Sequence, residues 1–188
     1  KWYFSISPYS YYFFNYLYLK PGTSFSPLPD AGQIYQYSQT EAFFAGTETQ
    51  LQWDPLDWMK LSTDWAYTYA VNVESGYNLP FTPPLQGNLR VSFHQNRTGT
   101  LKKWGIEWHQ HYSGAQNFTD VNEKNTPDFT ISNLNVNFLL DWKAVDLKIL
   151  IGVENLWNTS YLKHLSRYRL LNIAEPGRNI FIQAQIAF

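Results

Sequence analysis

Cysteine is missing from this sequence of 188 residues, charged residues make up only 15% of it, and the formal net charge is −1. The lack of cysteine excludes a disulfide framework and thiolate chemistry. The balanced charge supplies no basic field, so we expect no nucleic-acid partner. No run of about 18 apolar residues occurs, which excludes a transmembrane helix. No signal peptide begins at Lys1, and because the chain starts inside a predicted strand we expect a fragment or an internally cut product.

The common catalytic motifs are also missing. The sequence contains no nucleophile elbow of the form G-x-S-x-G, no P-loop and no dinucleotide-binding G-x-G-x-x-G. Its acidic residues form no pair whose local spacing indicates acid–base catalysis. We therefore predict that the protein is not an enzyme and requires no cofactor.

Aromatic residues are abundant instead. They make up 19% of the chain, with 8 Trp, 14 Tyr and 13 Phe, although the mean hydropathy is −0.38. A polar average with many rings indicates that apolar and polar residues alternate along strands. Helical periodicity is almost absent. The predicted fold class is therefore all-β.

Period-two alternation predicts an antiparallel sheet of about eight strands, which would form a segment of a transmembrane β-barrel. The predicted strands cover residues 2–19, 33–53, 58–74, 85–95, 103–113, 129–142, 146–155 and 179–188. Long connections at 20–32, 75–84, 114–128 and 156–178 alternate with short turns at 54–57, 96–102 and 143–145. This alternation is typical of outer-membrane barrels, whose long loops lie outside the cell. Trp53, Trp58 and Trp142 flank short turns, where aromatic belts form.

Three other architectures are conceivable for an all-β sequence of this length. The strand lengths and the alternation of the loops disfavour a soluble β-sandwich. A self-contained eight-stranded barrel with a structural or adhesive role remains open, because eight strands can close around their own side chains. A barrel-type phospholipase or protease would need a Ser/His or Asp/His constellation at a rim, and the sequence shows none that is convincing.

The end of the chain resembles a known family. The relevant residues are Gly152–Asn158 (GVENLWN), Tyr161, His164–Tyr168 (HLSRY), Pro176–Asn179 (PGRN) and a last strand that ends at Phe188. This order is similar to the C-terminal signature of TonB-dependent outer-membrane receptors, although Trp157 replaces the usual Phe. Gly46-Thr47-Glu48 is similar to the Gly-x-Glu that lies mid-strand in that family.

The resemblance implies a barrel of about 22 strands that encloses an N-terminal plug. Residues 1–188 would be the C-terminal portion of the barrel, with the plug and the first strands absent. The implied function is TonB-dependent uptake of a metal chelate, metal ion, vitamin or glycan across the bacterial outer membrane. The implied partners are outer-membrane lipid, the rest of the barrel and plug, the TonB complex through the plug, and a surface lipoprotein or other chains.

Two groups of residues are candidates for binding. Glu107, His109 and His111 share one face of a strand, and two imidazoles beside a carboxylate suit a divalent metal held mainly by His109 and His111. Arg90 and Glu107 are candidate cargo contacts on the same face, for which a hydrated polar wall is the alternative. In the longest connection, His164, Arg167 and Arg169 are candidates for an anionic ligand, and loop packing is the alternative.

The last strand has one apolar and one polar face. Ile180, Ile182, Ala184, Ile186 and Phe188 share the first, and Asn179, Gln183 and Gln185 share the second, with Phe181 as an exception. We expect the apolar face to meet lipid and both edges of the sheet to need partners outside this sequence. The family resemblance implies that barrel assembly recognises this strand through Ile182, Ile186 and Phe188.

Overall fold

A single antiparallel sheet contains every strand of this structure, a computed structural model that describes residues 1–25, 32–96, 99–142 and 145–187. The strands are β1 (Trp2–Phe25), β2 (Gln33–Leu56), β3 (Met59–Asn72), β4 (Gln86–Asn96), β5 (Leu101–Ser113), β6 (Phe129–Trp142), β7 (Val145–Glu154) and β8 (Asn179–Ala187). Their spatial order is their chain order. The prediction of eight antiparallel strands is confirmed.

The strand boundaries differ most from the prediction in the first hairpin. β1 continues to Phe25 instead of ending at residue 19, and β2 continues to Leu56. Pro21 does not stop β1: it lies opposite Tyr35 of β2, directly before an irregularity in the register between Pro21 and Phe25. Proline supplies no N–H to the ladder and is tolerated in sheets at such irregularities. The predicted long connection at 20–32 is therefore shorter. Asp54 and Pro55 form an irregularity within β2, so the turn before β3 consists of Asp57 and Trp58.

The strand register places apolar residues in line across the whole sheet. One row of directly paired residues is apolar throughout: Trp2, Trp53, Leu61, Val91, Trp108, Leu134, Val153 and Ile180. The neighbouring row on the opposite face is polar from β2 to β6: Gln52, Ser62, Arg90, His109 and Asn133. Because successive side chains of a strand point to opposite faces, the sheet has one apolar face and one polar face, as predicted.

The apolar face has no second layer among the described residues. Ile180 and Ile182 on β8 are 67% and 72% exposed. Buried apolar residues are few, and one small cluster combines Ala42, Ala70 and Leu79 with partly buried aromatic neighbours. The sheet therefore does not pack against a second sheet in these parts of the chain, as a β-sandwich with a shared core would require.

The two edges of the sheet remain open. Among the described strands, β1 pairs only with β2 and β8 only with β7. A self-contained eight-stranded barrel would require β1 to pair with β8, and these strands are not neighbours here. No helix in the described parts of the chain is long and apolar enough to cross a membrane.

Close contacts between glycine and aromatic residues explain the exceptional position of Phe181. Phe181 pairs with Gly152, and a Cβ on Gly152 would overlap its ring. Tyr9 likewise lies over its partner Gly46. Glycine on one strand thus makes room for a ring from the next strand, a pairing that stabilises glycine positions in sheets.

We predict that Gly46→Ala destabilises the protein by about 1–3 kcal/mol, the usual cost of overpacking. The added Cβ would overlap the backbone carbonyl of Tyr67 as well as the Tyr9 ring, and the backbone of a central strand has little room to move. Denaturant unfolding of the full-length protein in detergent measures the change. Gly114→Ala is the matched control, because a Cβ there meets Leu85 at an ordinary contact distance of 3.4 Å. Equal stability of the two variants would contradict the prediction.

Candidate functional site

Asn88 is the centre of a hydrogen-bonded group on the polar face of β3, β4 and β5. Its amide nitrogen donates to Asp64 Oδ2 at 2.6 Å. Its Oδ1 lies 3.0 Å from His109 Nε2 and 3.0 Å from His111 Nδ1. An amide oxygen only accepts hydrogen bonds, so each imidazole donates an N–H to it. The arrangement therefore fixes a different tautomer for each histidine.

The group continues sideways in both directions. Arg90 Nη1 forms an ion pair with Asp64 Oδ1 at 3.1 Å, and both side chains are about 40% exposed. Asn133 Nδ2 lies 3.4 Å from His109 Nδ1, while its Oδ1 accepts the Asn155 backbone N–H at 2.9 Å. Polar contacts therefore run from β3 to the end of β7. We call this set of residues the polar wall: Asp64, Asn88, Arg90, His109, His111 and Asn133.

The predicted metal ligands are only partly brought together. His109 and His111 converge on one oxygen atom, but Glu107 lies beside Ser92, whose hydroxyl is 3.2 Å from its Oε2. Within the described residues, no group of three or more His, Cys, Asp or Glu side chains could hold a metal. The metal site remains a prediction.

A second, buried group ties together three of the long connections, residues 73–85, 114–128 and 155–178, which lie at one end of the sheet. We call this end the long-loop end, and we define the Glu123 cluster as Glu123, His164 and Arg169. Arg169 Nη2 donates to Glu123 Oε1 at 2.5 Å. His164 Nε2 lies 3.2 Å from the same oxygen, at an angle that gives a poor hydrogen bond. The three side chains are at most 3% exposed.

The remaining contacts of the Glu123 cluster determine the state of His164. Its Nδ1 accepts from Arg169 Nη1 at 2.9 Å and lies 3.1 Å from the Thr126 hydroxyl. The proton of a neutral imidazole must then be on Nε2, which faces Glu123. Arg169 also donates to the Lys124 carbonyl at 2.8 Å. Within the Glu123 cluster, His164 Nε2 is the one buried polar atom without a well-formed hydrogen bond, although it lies 3.2 Å from Glu123 Oε1.

Glu123 also holds the connection between β3 and β4. The Phe81 backbone N–H donates to both carboxylate oxygens, at 3.1 and 3.3 Å, and Phe81 has a left-handed φ of 59°. Burial alone would raise the pKa of the Glu123 carboxyl, but the adjacent His164 and the hydrogen bonds from Arg169 and the Phe81 N–H outweigh it and hold the pKa below its usual value. The carboxylate therefore stays ionised, and its links to the other two connections persist, over the ordinary pH range.

The β7–β8 connection begins with another fixed turn. Asn155, from the GVENLWN segment, is 3% exposed and has a left-handed φ of 49°. Its side chain accepts from the Thr159 N–H and donates to the Thr159 carbonyl, both at 2.8 Å. Asn therefore suits this position, because it tolerates the left-handed conformation and bonds to nearby backbone.

The remaining predicted residues have varied surroundings. Arg167 is exposed, in contrast to the buried His164 and Arg169. Ile182 and Ile186 lie on the apolar face, 72% and 58% exposed. Phe188 and the side chain of Trp142 lie outside the described residues. Trp53 and Trp58 are about half exposed at the end with the short turns.

Sequence reasoning missed Asn88 and Glu123. Asn88 pairs directly with His111, so an assigned strand register would have indicated its role. Glu123 lies in the polar stretch VNEKN, which has the composition of an ordinary solvated loop. Only contacts that are distant in sequence mark it as buried.

These features define a class of protein. A meander of long antiparallel strands, with long loops at one end, short turns at the other and one apolar face, is the architecture of an outer-membrane type β-barrel wall. Residues 1–156 match the family model described as TonB dependent receptor-like, beta-barrel. The chain belongs to this family, whose members are outer-membrane receptors and transporters rather than enzymes. The sequence resemblance is thereby confirmed.

Solved structures agree on the fold. The chain is similar to one titled copper transporter OprC, with a TM-score of 0.78 and 18% sequence identity. The similarity covers 98% of this chain but only 28% of that one. At this identity it shows the fold alone. No curated protein matches the sequence.

We predict that Glu123→Gln loosens all three connections at once, at a cost of about 3–5 kcal/mol for breaking a buried ion pair. Arg169 would keep a buried charge without its counter-ion. Hydrogen–deuterium exchange of residues 73–85, 114–128 and 155–178 in the full-length protein measures the effect. Glu175→Gln is the control, since Glu175 lies in the same connection as Arg169 but outside the Glu123 cluster. Faster exchange in 114–128 alone would show that the cluster does not couple the connections.

Proposed function

We propose that this chain is the C-terminal portion of a TonB-dependent transporter that is integral to the bacterial outer membrane and takes up a scarce nutrient. The observation that carries the proposal is the family match over residues 1–156, combined with a sheet whose edges are open among the described strands. Eight strands enclose too narrow a space for a plugged lumen, because barrel diameter grows with strand number. The edges of β1 and β8 then pair with the remaining strands of the same barrel.

In this assignment the apolar face meets lipid and the polar face meets the lumen. Exposed Ile180 and Ile182 are costly in water but favourable against hydrocarbon. The polar wall then contacts water, the plug or passing cargo. TonB acts through the plug, and the lumen opens at the long-loop end, where a surface lipoprotein would also bind.

Within this transporter we assign different roles to the predicted binding residues. Arg90 and Glu107 face the lumen and contact cargo or plug. Arg167, exposed at the long-loop end, contacts an anionic group of the cargo. His164 and Arg169 position the loop around Arg167, since their polar atoms are occupied inside the Glu123 cluster.

Uptake should require both the receptor and TonB. Cells that express the full-length receptor are given radiolabelled ferric chelates, copper salts, cobalamin and oligosaccharides, one at a time. At least one should accumulate in these cells and not in otherwise identical cells without TonB. Accumulation that is equal with and without TonB would contradict active transport and favour a passive or structural role.

A second candidate is direct binding of a metal ion as cargo by His109 and His111. The observation in its favour is that both imidazoles lie 3.0 Å from the single atom Asn88 Oδ1. A cation that replaces this contact could take one nitrogen from each ring, with water completing its coordination. The similar structure is titled a copper transporter, which is consistent with such cargo.

Calorimetric titration with zinc and copper(II) salts tests this second candidate. We predict binding to the full-length receptor that is lost when His109 and His111 are both changed to Ala. His94→Ala is the control, because His94 lies on the same face of the adjacent strand but outside the polar wall. An unchanged isotherm in the double variant would rule out this site.

A further inference from the structure

A cleft of about 410 Å³ lies at the long-loop end, beside the start of β2 and a short 3₁₀-helix formed by Arg167–Leu171. Sites for small molecules commonly have volumes of about 300–1,000 Å³ and mostly apolar walls. The rings of Tyr35 and Phe81, 5.6 Å apart, contribute to the lining of this cleft, together with Leu165 and Leu171. Its size and surface therefore suit a small ligand with an apolar body.

Two parts of this lining are anchored to the same buried carboxylate. Phe81 is held through its backbone N–H by Glu123, and the 3₁₀-helix is held through the guanidinium of Arg169. Ser166 caps this helix by accepting the Tyr168 N–H at 3.3 Å. The cleft is thus formed before any ligand arrives, which lowers the entropic cost of binding.

Arg167 gives the cleft its charge. Two arginines belong to the lining, but the guanidinium of Arg169 is buried against Glu123. Arg167 is exposed and makes no ion pair or side-chain hydrogen bond with any residue that the structure describes. A guanidinium offers a planar fork of donors that fits carboxylates and similar anions.

We propose that this cleft binds a small amphipathic anion. A flat, apolar or aromatic body lies against Tyr35, Phe81 and Leu171, and a carboxylate or sulfonate group bonds to Arg167. The identification of this anion with the cargo, or with part of it, rests on the proposed uptake function. The binding itself depends only on the geometry of the cleft.

The experiment uses the full-length receptor in non-ionic detergent and two aromatic probes of similar shape and opposite charge. Calorimetry with 2-naphthoate should show saturable binding, and calorimetry with 2-naphthylmethylammonium should not, after subtraction of protein-free micelles. Arg167→Gln should weaken naphthoate binding by about tenfold or more, because a hydrogen-bonded charge pair is lost. Arg178→Gln, which removes the same charge outside the cleft, should leave the affinity unchanged.

Three results would overturn the proposal: no naphthoate binding, equal affinity for the two probes, or equal weakening by the two arginine variants. The uptake experiment fails or succeeds separately. Naphthoate binding that depends on Arg167, without any TonB-dependent uptake, would retain the cleft and reject the transport function. TonB-dependent uptake without naphthoate binding would reject the cleft as a binding site and retain the transport function.

Discussion

Backbone pairing between consecutive strands is the interaction on which the rest of this structure depends. Buried apolar side chains are few in the described residues, so a central core does not hold the sheet together. The pairing determines the register, and the register determines which side chains meet. It places Trp108 between Val91 and Leu134 on one face and His111 beside Asn88 on the other. Both the apolar face and the polar wall are therefore consequences of one set of backbone hydrogen bonds.

The long-loop end follows a different principle. Here buried charge replaces regular pairing: one carboxylate, Glu123, contacts groups from two other connections. Such a buried ionic group contributes little net stability compared with apolar packing, because removing charges from water is costly. Its effect is to restrict the arrangement, since any other packing of the connections would leave a charge without a partner. The strands are specified by repetition and the loops by a few particular contacts.

This contrast explains how much could be predicted from the sequence. Long strands with period-two alternation were predicted correctly, because each contains enough residues to establish its pattern. The extension of β1 past Pro21 was missed, because proline normally ends a strand and the irregular register that accommodates it here is not visible in the sequence. Phe181 is an aromatic residue on the otherwise polar face of β8. Its position is explained only by its partner Gly152, which leaves room for the ring. Glu123 was missed because burial in a loop depends on which other loops fold over it, and local sequence does not record that.

The connections joined by the Glu123 cluster are not independent modules. A loop of one receptor can usually be replaced by that of another, because loops on a barrel differ in length and sequence without disturbing the strands. In this protein, replacing residues 114–128 alone would remove the counter-ion of Arg169 and the acceptor of the Phe81 N–H. Natural or engineered exchange of recognition loops would therefore have to transfer residues 73–85, 114–128 and 155–178 together. The three segments depend on one another structurally, although two hairpins of the sheet separate them along the chain.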